Sequence, residues 1–133
     1  MWTTPGTTSN NISAFWDMMP TFAEIAEIKS EKSDGISFLP TLLSKKQKKH
    51  TYLYQEFPKK ETSKAIRMGK WKGYISNYKK GDSKMELFNL RKDPREQNNI
   101  ADKNPQVVCN LRERWTKHTL RRLLKDSICN SAF

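Results

Sequence analysis

MELFNLRKDPREQNNIADKNPQVV, residues 85–108, contains a stop signal followed by a start signal. Met85 to Leu90 is a short apolar run that reads as a strand. Asp93-Pro94 ends it as a turn, because an Asp carboxylate can bond backbone N–H groups two residues on. The polar run QNNIADKN (97–104) crosses away, with Ile100 as its single apolar anchor. Asn104-Pro105 then reads as an N-cap and first-turn pair, since proline lacks an N–H that the first turn leaves unbonded anyway. A strand closes and a helix opens, so the fold depends on what pairs with that strand and what lines that helix.

Working back from Met85, TYLYQEF (51–57) alternates β-favouring residues and ends at Pro58. KAIRM (64–68) and WKGYISNY (71–78) follow, separated by Gly69-Lys70. A two-residue loop with glycine first is a type II′ hairpin signature, because that position takes positive φ. Lys79 to Lys84 is a longer hairpin loop. Forward of Pro105, Val108, Leu111, Trp115 and Thr119 line one side of a helix expected to run to about residue 124, with SICNSAF as a loose tail. A small antiparallel sheet needs one face covered, and this helix is the cover. The expected class is α+β: a four-stranded antiparallel sheet, a C-terminal helix over it, and an N-terminal helical segment.

In that N-terminal segment, Phe15, Met18, Met19, Phe22, Ile25 and Ala26 recur at helical spacing. They predict a helix over 17–28 with a buried apolar face, Asp17 as its N-cap and Pro20 in its first turn. GISFLPTLLS (35–44) adds a short helical turn starting near Leu39. KKQKKH (45–50), four lysines and a histidine around one glutamine, reads as a solvated loop.

The 133 residues suit one modest domain, and the formal net charge of +11 points to an anionic partner or a strongly charged surface. Nucleic acid, acidic lipid and a sulfated or phosphorylated glycan satisfy that balance equally. No apolar run reaches the roughly 20 residues of a transmembrane helix. MWTTPGTTSNN has neither the basic nor the apolar region of a signal peptide. Cys109 and Cys129 are too few for a disulfide framework or a zinc site and read as unpaired thiols. His50 and His118 titrate near neutrality but read as exposed, among lysines and arginines.

DMMPTFAEIAEI (17–28), DGISFLPTLLS (34–44), YLYQEF (52–57), AIRMGKWKGYI (65–75) and ELFNLRKDPREQNNIA (86–101), in that order, closely resemble the C-terminal part of the arylsulfatase family. The shared patterns are Asp-x-x-Pro-Thr, Asp-Gly-x-Ser-x-x-Pro-x-Leu, Tyr-x-Glu-Phe, Arg-x-Gly-x-Trp-Lys and Glu-Leu-Phe-Asn-Leu-x-x-Asp-Pro-x-Glu. Each is weak alone; five in series, over about residues 5–116, are strong. Glu27 and Ser44 stand where the family has glycine, and Gln55 where it has an aromatic residue. The first two changes predict a slightly altered loop path after each helix.

The resemblance implies a sulfuric ester hydrolase whose complete form uses a formylglycine, made from Cys or Ser in Cys/Ser-x-Pro-x-Arg, and a divalent metal, commonly calcium, on Asp and Asn oxygens. Neither Cys109 nor Cys129, nor any serine, starts that motif here, and no Asp-Asp or Asp-Asn pair is present. The Gly-Lys-Gly segment with its sulfate-contacting lysine would lie upstream of residue 1. The expectation is therefore a C-terminal fragment or subunit, inactive alone, that shapes a cleft built elsewhere. Its catalytic and metal residues would be none, with His50, Gln55, Arg67 and Lys70 as candidate rim residues. Residues 1–50 would be the end of the catalytic domain and a linker, 51–126 the C-terminal subdomain, and 127–133 a tail. The implied partner is the missing N-terminal sulfatase domain or, failing that, a second copy through the 15–28 stripe. A sulfated substrate would be met only in the complete enzyme. Relatives are often periplasmic or secreted.

Arg67 could take a sulfate or uronate through its planar fork, or pair with Glu56 across the sheet, which reads better. Trp71 reads as a packed strand residue rather than a stacking platform. Glu96 reads as fixing its turn through backbone or arginine hydrogen bonds. Two other functions compete. One is a single-stranded nucleic-acid binder using lysines 45–49, 59–60 and 79–80 around Tyr52, Tyr54, Trp71 and Tyr78. The other is an orphan interaction module that still folds.

Overall fold

β1 (Leu53–Phe57), β2 (Ser63–Met68), β3 (Trp71–Ile75) and β4 (Glu86–Asn89) form one antiparallel sheet in the order β1-β2-β3-β4. The computed structural model describes residues 6–57, 62–78 and 84–130, the last ten by their backbone only. The lysine pairs 59–60 and 79–80, most of the 79–84 loop, the Cys129 side chain and the tail end 131–133 lie outside the described residues. The chain divides into two units, Met1–Thr51 and Tyr52–Phe133.

In the second unit, Tyr54, Ile66, Gly73 and Leu87 lie in one row across the sheet. Alternation puts Ile66, Ile75 and Leu87 on the face that α3 (Pro105–Asn130) covers, and with Met85 and Leu111 they make the buried core. Val107, Val108, Trp115 and the anchor Ile100 pack around it. Gly69 has φ of 56°, as the expected hairpin requires. The helix continues to Asn130, past the end expected from its apolar stripe. Asn104 sits at its start, but its amide turns back to donate to the Ile100 carbonyl (2.9 Å) instead of capping α3.

The first unit contains a 3₁₀ turn, Phe15–Asp17, leading into α1 (Met18–Ile25), and the single turn α2 (Leu39–Leu42). Here the sequence expectation is inverted. The buried residues of α1 and its lead-in are Asp17, Thr21 and Ala23, while Phe15, Met19, Phe22 and Ile25 face outward. Helix α1 also stops at Ile25 rather than 28. The 28 N–H bonds the Ala23 carbonyl and the 27 N–H the Glu24 carbonyl, a Schellman ending with Glu27 at φ of 55°. After α2 the 45 N–H bonds Pro40 and the 44 N–H bonds Thr41, with Ser44 at φ of 54°. Both residues adopt the left-handed conformation that glycine takes most readily at such a closing position.

Candidate functional site

Asp17 organises the first unit, but not as the cap of α1. Its carboxylate accepts from the Ala14 N–H (2.7 Å) and the Ile36 N–H (2.8 Å), and both oxygens lie 2.9 Å from His50 Nε2. Thr21 Oγ1 donates to the Asp17 carbonyl (2.6 Å) and accepts from the Phe38 N–H (3.0 Å). The Asp and Thr of the Asp-x-x-Pro-Thr pattern thus grip alternate N–H groups of the Asp-Gly-x-Ser-x segment. Gly35 fits between them because a Cβ there would collide with the Trp16 carbonyl and the Pro20 ring. Local sequence makes both halves; hydrogen bonds join them.

His50 is therefore not exposed; it is an inward-facing partner of a buried carboxylate, with side-chain exposures of 11% and 1%. Gln47 also turns inward. Its amide oxygen accepts from the Thr41 N–H (3.2 Å) and hydroxyl (2.9 Å), and its amide nitrogen donates to the Ser37 carbonyl (2.9 Å). The lysines around it stay exposed. A polar, charged run hides two structural residues.

Of the four candidate rim residues, His50 belongs to the first unit and the other three to the second. Gln55 and Arg67 share the sheet face opposite α3, and Lys70 occupies the β2–β3 turn with its ammonium 5.1 Å from the Trp71 ring. Arg67 lies opposite Lys72 in register and donates to the Gly69 carbonyl at 3.4 Å. It does not pair with Glu56. One position of register puts Glu56 on the helix-covered face, where Lys64 (3.3 Å), Tyr78 (2.7 Å) and Tyr54 (3.1 Å) hold it. Burial pushes the Glu56 carboxyl up, but the bonds from Tyr78 and Lys64, the Lys64 charge and Tyr54 outweigh it, leaving the group below its ordinary value.

Among the described residues, a lysine rather than backbone or arginine holds the Glu96 carboxylate. Lys72 Nζ lies 2.6 and 2.7 Å from its two oxygens. This leaves Arg67 and Lys70 as cations without a carboxylate partner among the described residues, near one hairpin. Asp93 fixes the following turn as expected: the Asn98 N–H (2.8 Å), ahead of the Gln97 and Arg95 N–H groups, holds its carboxyl below the usual value. Lys72 and Glu96 were missed as a pair; their signal is two motifs that antiparallel pairing brings together.

The aromatic residues do not form an open platform. Tyr52, Trp71 and Tyr78 pack against the core. His118, expected to be exposed, stacks on Tyr54 with ring centres 4.4 Å apart, and its Nδ1 lies 3.2 Å from the Tyr52 hydroxyl. Among the described residues, no three His, Cys, Asp or Glu side chains converge to hold an ion. The Asp17 carboxylate is occupied by His50 and by the Ala14 and Ile36 N–H groups. The described residues do not fit a calcium site.

Residues 2–121 match the family described as N-sulphoglucosamine sulphohydrolase, C-terminal. The chain belongs to this sulfatase family. It is 33% identical over 160 residues to an ulvan-active sulfatase of Formosa agariphila, covering 92% of this chain and 29% of that protein. It is 34% identical over 123 residues to a Delta 4,5-hexuronate-2-O-sulfatase of Bacteroides thetaiotaomicron, covering 86% and 23%. A solved putative sulfatase from the latter species superposes with a TM-score of 0.70 at 27% identity, over 79% of this chain and 24% of the other. The chain thus spans about a quarter of these relatives' length. No helix among the described residues is long and apolar enough to cross a membrane.

Proposed function

We propose that this chain supplies the C-terminal portion of a sulfatase acting on a sulfated, uronate-containing polysaccharide, and that it hydrolyses nothing alone. The observation that carries the reading is the family match over residues 2–121, without a Cys/Ser-x-Pro-x-Arg motif in the chain. The relatives named above act, by their names, on ulvan and on a hexuronate 2-O-sulfate. A uronate sulfate presents two kinds of anion. Arg67 offers a planar fork to one and Lys70 a point charge to another, with Gln55 as a neutral hydrogen-bonding neighbour on the same sheet face. His50 contributes indirectly, by holding Asp17 and so the segments around it. Residues 1–50 complete the end of the catalytic domain, and 51–126 form the subdomain beside the cleft. The metal and the formylglycine, which supply the Lewis acid and the nucleophile, belong to the remainder of the enzyme.

The test is a chimera in which this chain replaces the matching stretch of the ulvan-active sulfatase. Sulfate release from ulvan is expected from the chimera and not from the purified chain. Arg67→Ala in the chimera should raise KM at least several-fold with a smaller change in kcat. A soluble, folded chimera that releases no sulfate overturns the reading. Turnover by the chain alone, purified from a sulfatase-free host, overturns its inactivity.

A further inference from the structure

Positive charge in the first unit is concentrated in one place. Residues 1–51 hold six lysines, no arginine and five carboxylates, so the unit is close to neutral, yet four of those lysines fall between 45 and 49. Lys45, Lys46, Lys48 and Lys49 are all exposed. Among the described residues, none of the four has a carboxylate partner. From 45 to 49 an extended backbone reaches at most about 14 Å, against a screening length of about 8 Å at physiological salt. Neighbouring charges in the run therefore act on a ligand together.

A lysine run is ordinarily a loose, solvated loop, but this one is held. The Lys45 N–H donates to the Pro40 carbonyl (2.7 Å). The Gln47 amide accepts from the Thr41 N–H and hydroxyl, and donates to the Ser37 and Lys48 carbonyls (2.9 and 2.7 Å). His50 closes the run, its Nε2 2.9 Å from both Asp17 oxygens. The backbone is thus tied at 45, 47, 48 and 50, and fixing a segment before its ligand arrives removes part of the ordering cost of binding. Charge selects a polyanion, and the rest of the molecule selects its kind. Single-stranded nucleic acid needs aromatic faces for its bases, and Tyr52, Trp71 and Tyr78 pack against the core. An anionic membrane is met by an amphipathic helix with apolar residues beneath its lysines, and residues 45–50 are in neither helix nor strand. A sulfated polysaccharide requires only cations displayed in series.

We infer that Lys45, Lys46, Lys48 and Lys49 form a strip that binds the sulfate groups of an anionic polysaccharide, several at once. The inference rests on the function proposed above and adds to it a binding surface for the polymer as a chain. A single sulfate gains little from one solvated ammonium. A polymer that presents sulfates in series engages the four lysines together, so long chains bind more tightly than short pieces of the same chemistry.

The full chain is titrated with ulvan, desulfated ulvan, oligothymidylate and phosphatidylserine vesicles over a series of salt concentrations. Three proteins are compared: wild type, K45Q/K46Q/K48Q/K49Q, and K29Q/K32Q/K92Q/K103Q, which removes the same charge from exposed lysines elsewhere. Wild type is expected to bind ulvan. The strip variant should lose at least tenfold in affinity, and its slope of log Kd against log salt should fall by up to about 3, as for four contacts on a single-stranded polyanion. The control variant should lose less than threefold. Equal losses in the two variants assign the binding to net charge and overturn the strip. Equal affinity for desulfated ulvan overturns sulfate as the group bound. Tighter binding to oligothymidylate or to vesicles, lost in the strip variant, assigns the lysines to nucleic acid or membrane and overturns the inference. No binding of ulvan by wild type beside an active chimera overturns the strip alone; an inactive chimera overturns the proposed function, whatever the strip binds. Circular dichroism melts check the fold. Should the fourfold variant melt early, K45Q/K46Q and K48Q/K49Q replace it, each expected to lose severalfold, and no loss in either overturns the strip.

Discussion

Replacing Glu27 and Ser44 with glycine should make the protein more stable, although both substitutions delete a side chain. Each residue occupies the left-handed position that closes a Schellman ending, at φ of 55° and 54°. An L-residue there brings Cβ against its own carbonyl, at a cost of about 1–2 kcal/mol. Glycine avoids that cost but loses about 0.5–1 kcal/mol through the larger freedom of the unfolded chain. The net gain is about 0.5–1 kcal/mol per site. Both residues are exposed and neither side chain makes a hydrogen bond to a described residue, so nothing is lost in exchange. The two sites share no partner, so the gains should add to about 1–2 kcal/mol. In a chain of this length that raises the melting temperature by roughly 3–8 °C. Far-UV circular dichroism melts of E27G, S44G and the double variant measure it. E24G is the control: Glu24 is helical, so glycine should cost about 1 kcal/mol there. If E27G melts below wild type, by as much as E24G does, residue 27 is not left-handed and the reasoning fails.

Asp17→Ala should cost about 3 kcal/mol or more, because it strands two backbone N–H groups and His50 in a buried site. Urea midpoints report it, and a shift no larger than that of Lys45→Ala would contradict the arrangement. Leu111→Ala should cost about 2–5 kcal/mol as a core cavity. Gly73→Ala should cost about 1–3 kcal/mol, since a Cβ there lies 2.8 Å from Met85 Sδ and 3.2 Å from Leu111 Cδ1. The double variant should cost less than the sum, because one change makes room for the other. Finally, Glu56 titrates below its ordinary 4.5 in the folded chain. Its contribution is therefore present above pH 4.5 and is lost as pH falls through the lowered value. Glu56→Gln should flatten that part of the acid stability profile; an unchanged slope would mean the carboxyl is not held by Tyr78 and Lys64.

The second unit was legible because its determinants are local. Alternation marks the four strands, a glycine-first turn fixes the β2–β3 register, and Asp93 and Pro105 mark the stop and the start. The errors arose where a contact spans distant sequence. His50 reaches back 33 residues to Asp17, and Gln47 ten to Ser37, and no periodicity announces either. The Arg67–Glu56 expectation failed on parity. The β2–β3 turn does not set how β1 meets β2, and a single-residue offset sends a side chain to the other face. Of the candidate rim residues, Gln55 and Arg67 do share a face, which alternation on adjacent strands could have indicated.

The inverted α1 shows why an apolar stripe locates a face without naming what lies against it. A hydrophobicity pattern ranks side chains by their cost in water, and on that scale Phe15, Met19 and Phe22 belong inside. Asp17 and Thr21 occupy the inside instead because hydrogen bonding can outweigh transfer cost when every acceptor is used. The Asp17 carboxylate and Thr21 hydroxyl satisfy three backbone N–H groups, of Ala14, Ile36 and Phe38, that a hydrophobic residue would have stranded. Once those polar groups fix the inner side, the outer side has no partner to find within the first unit. The stripe marks one side of the helix, and the hydrogen bonds of Asp17 and Thr21 decide which side turns inward.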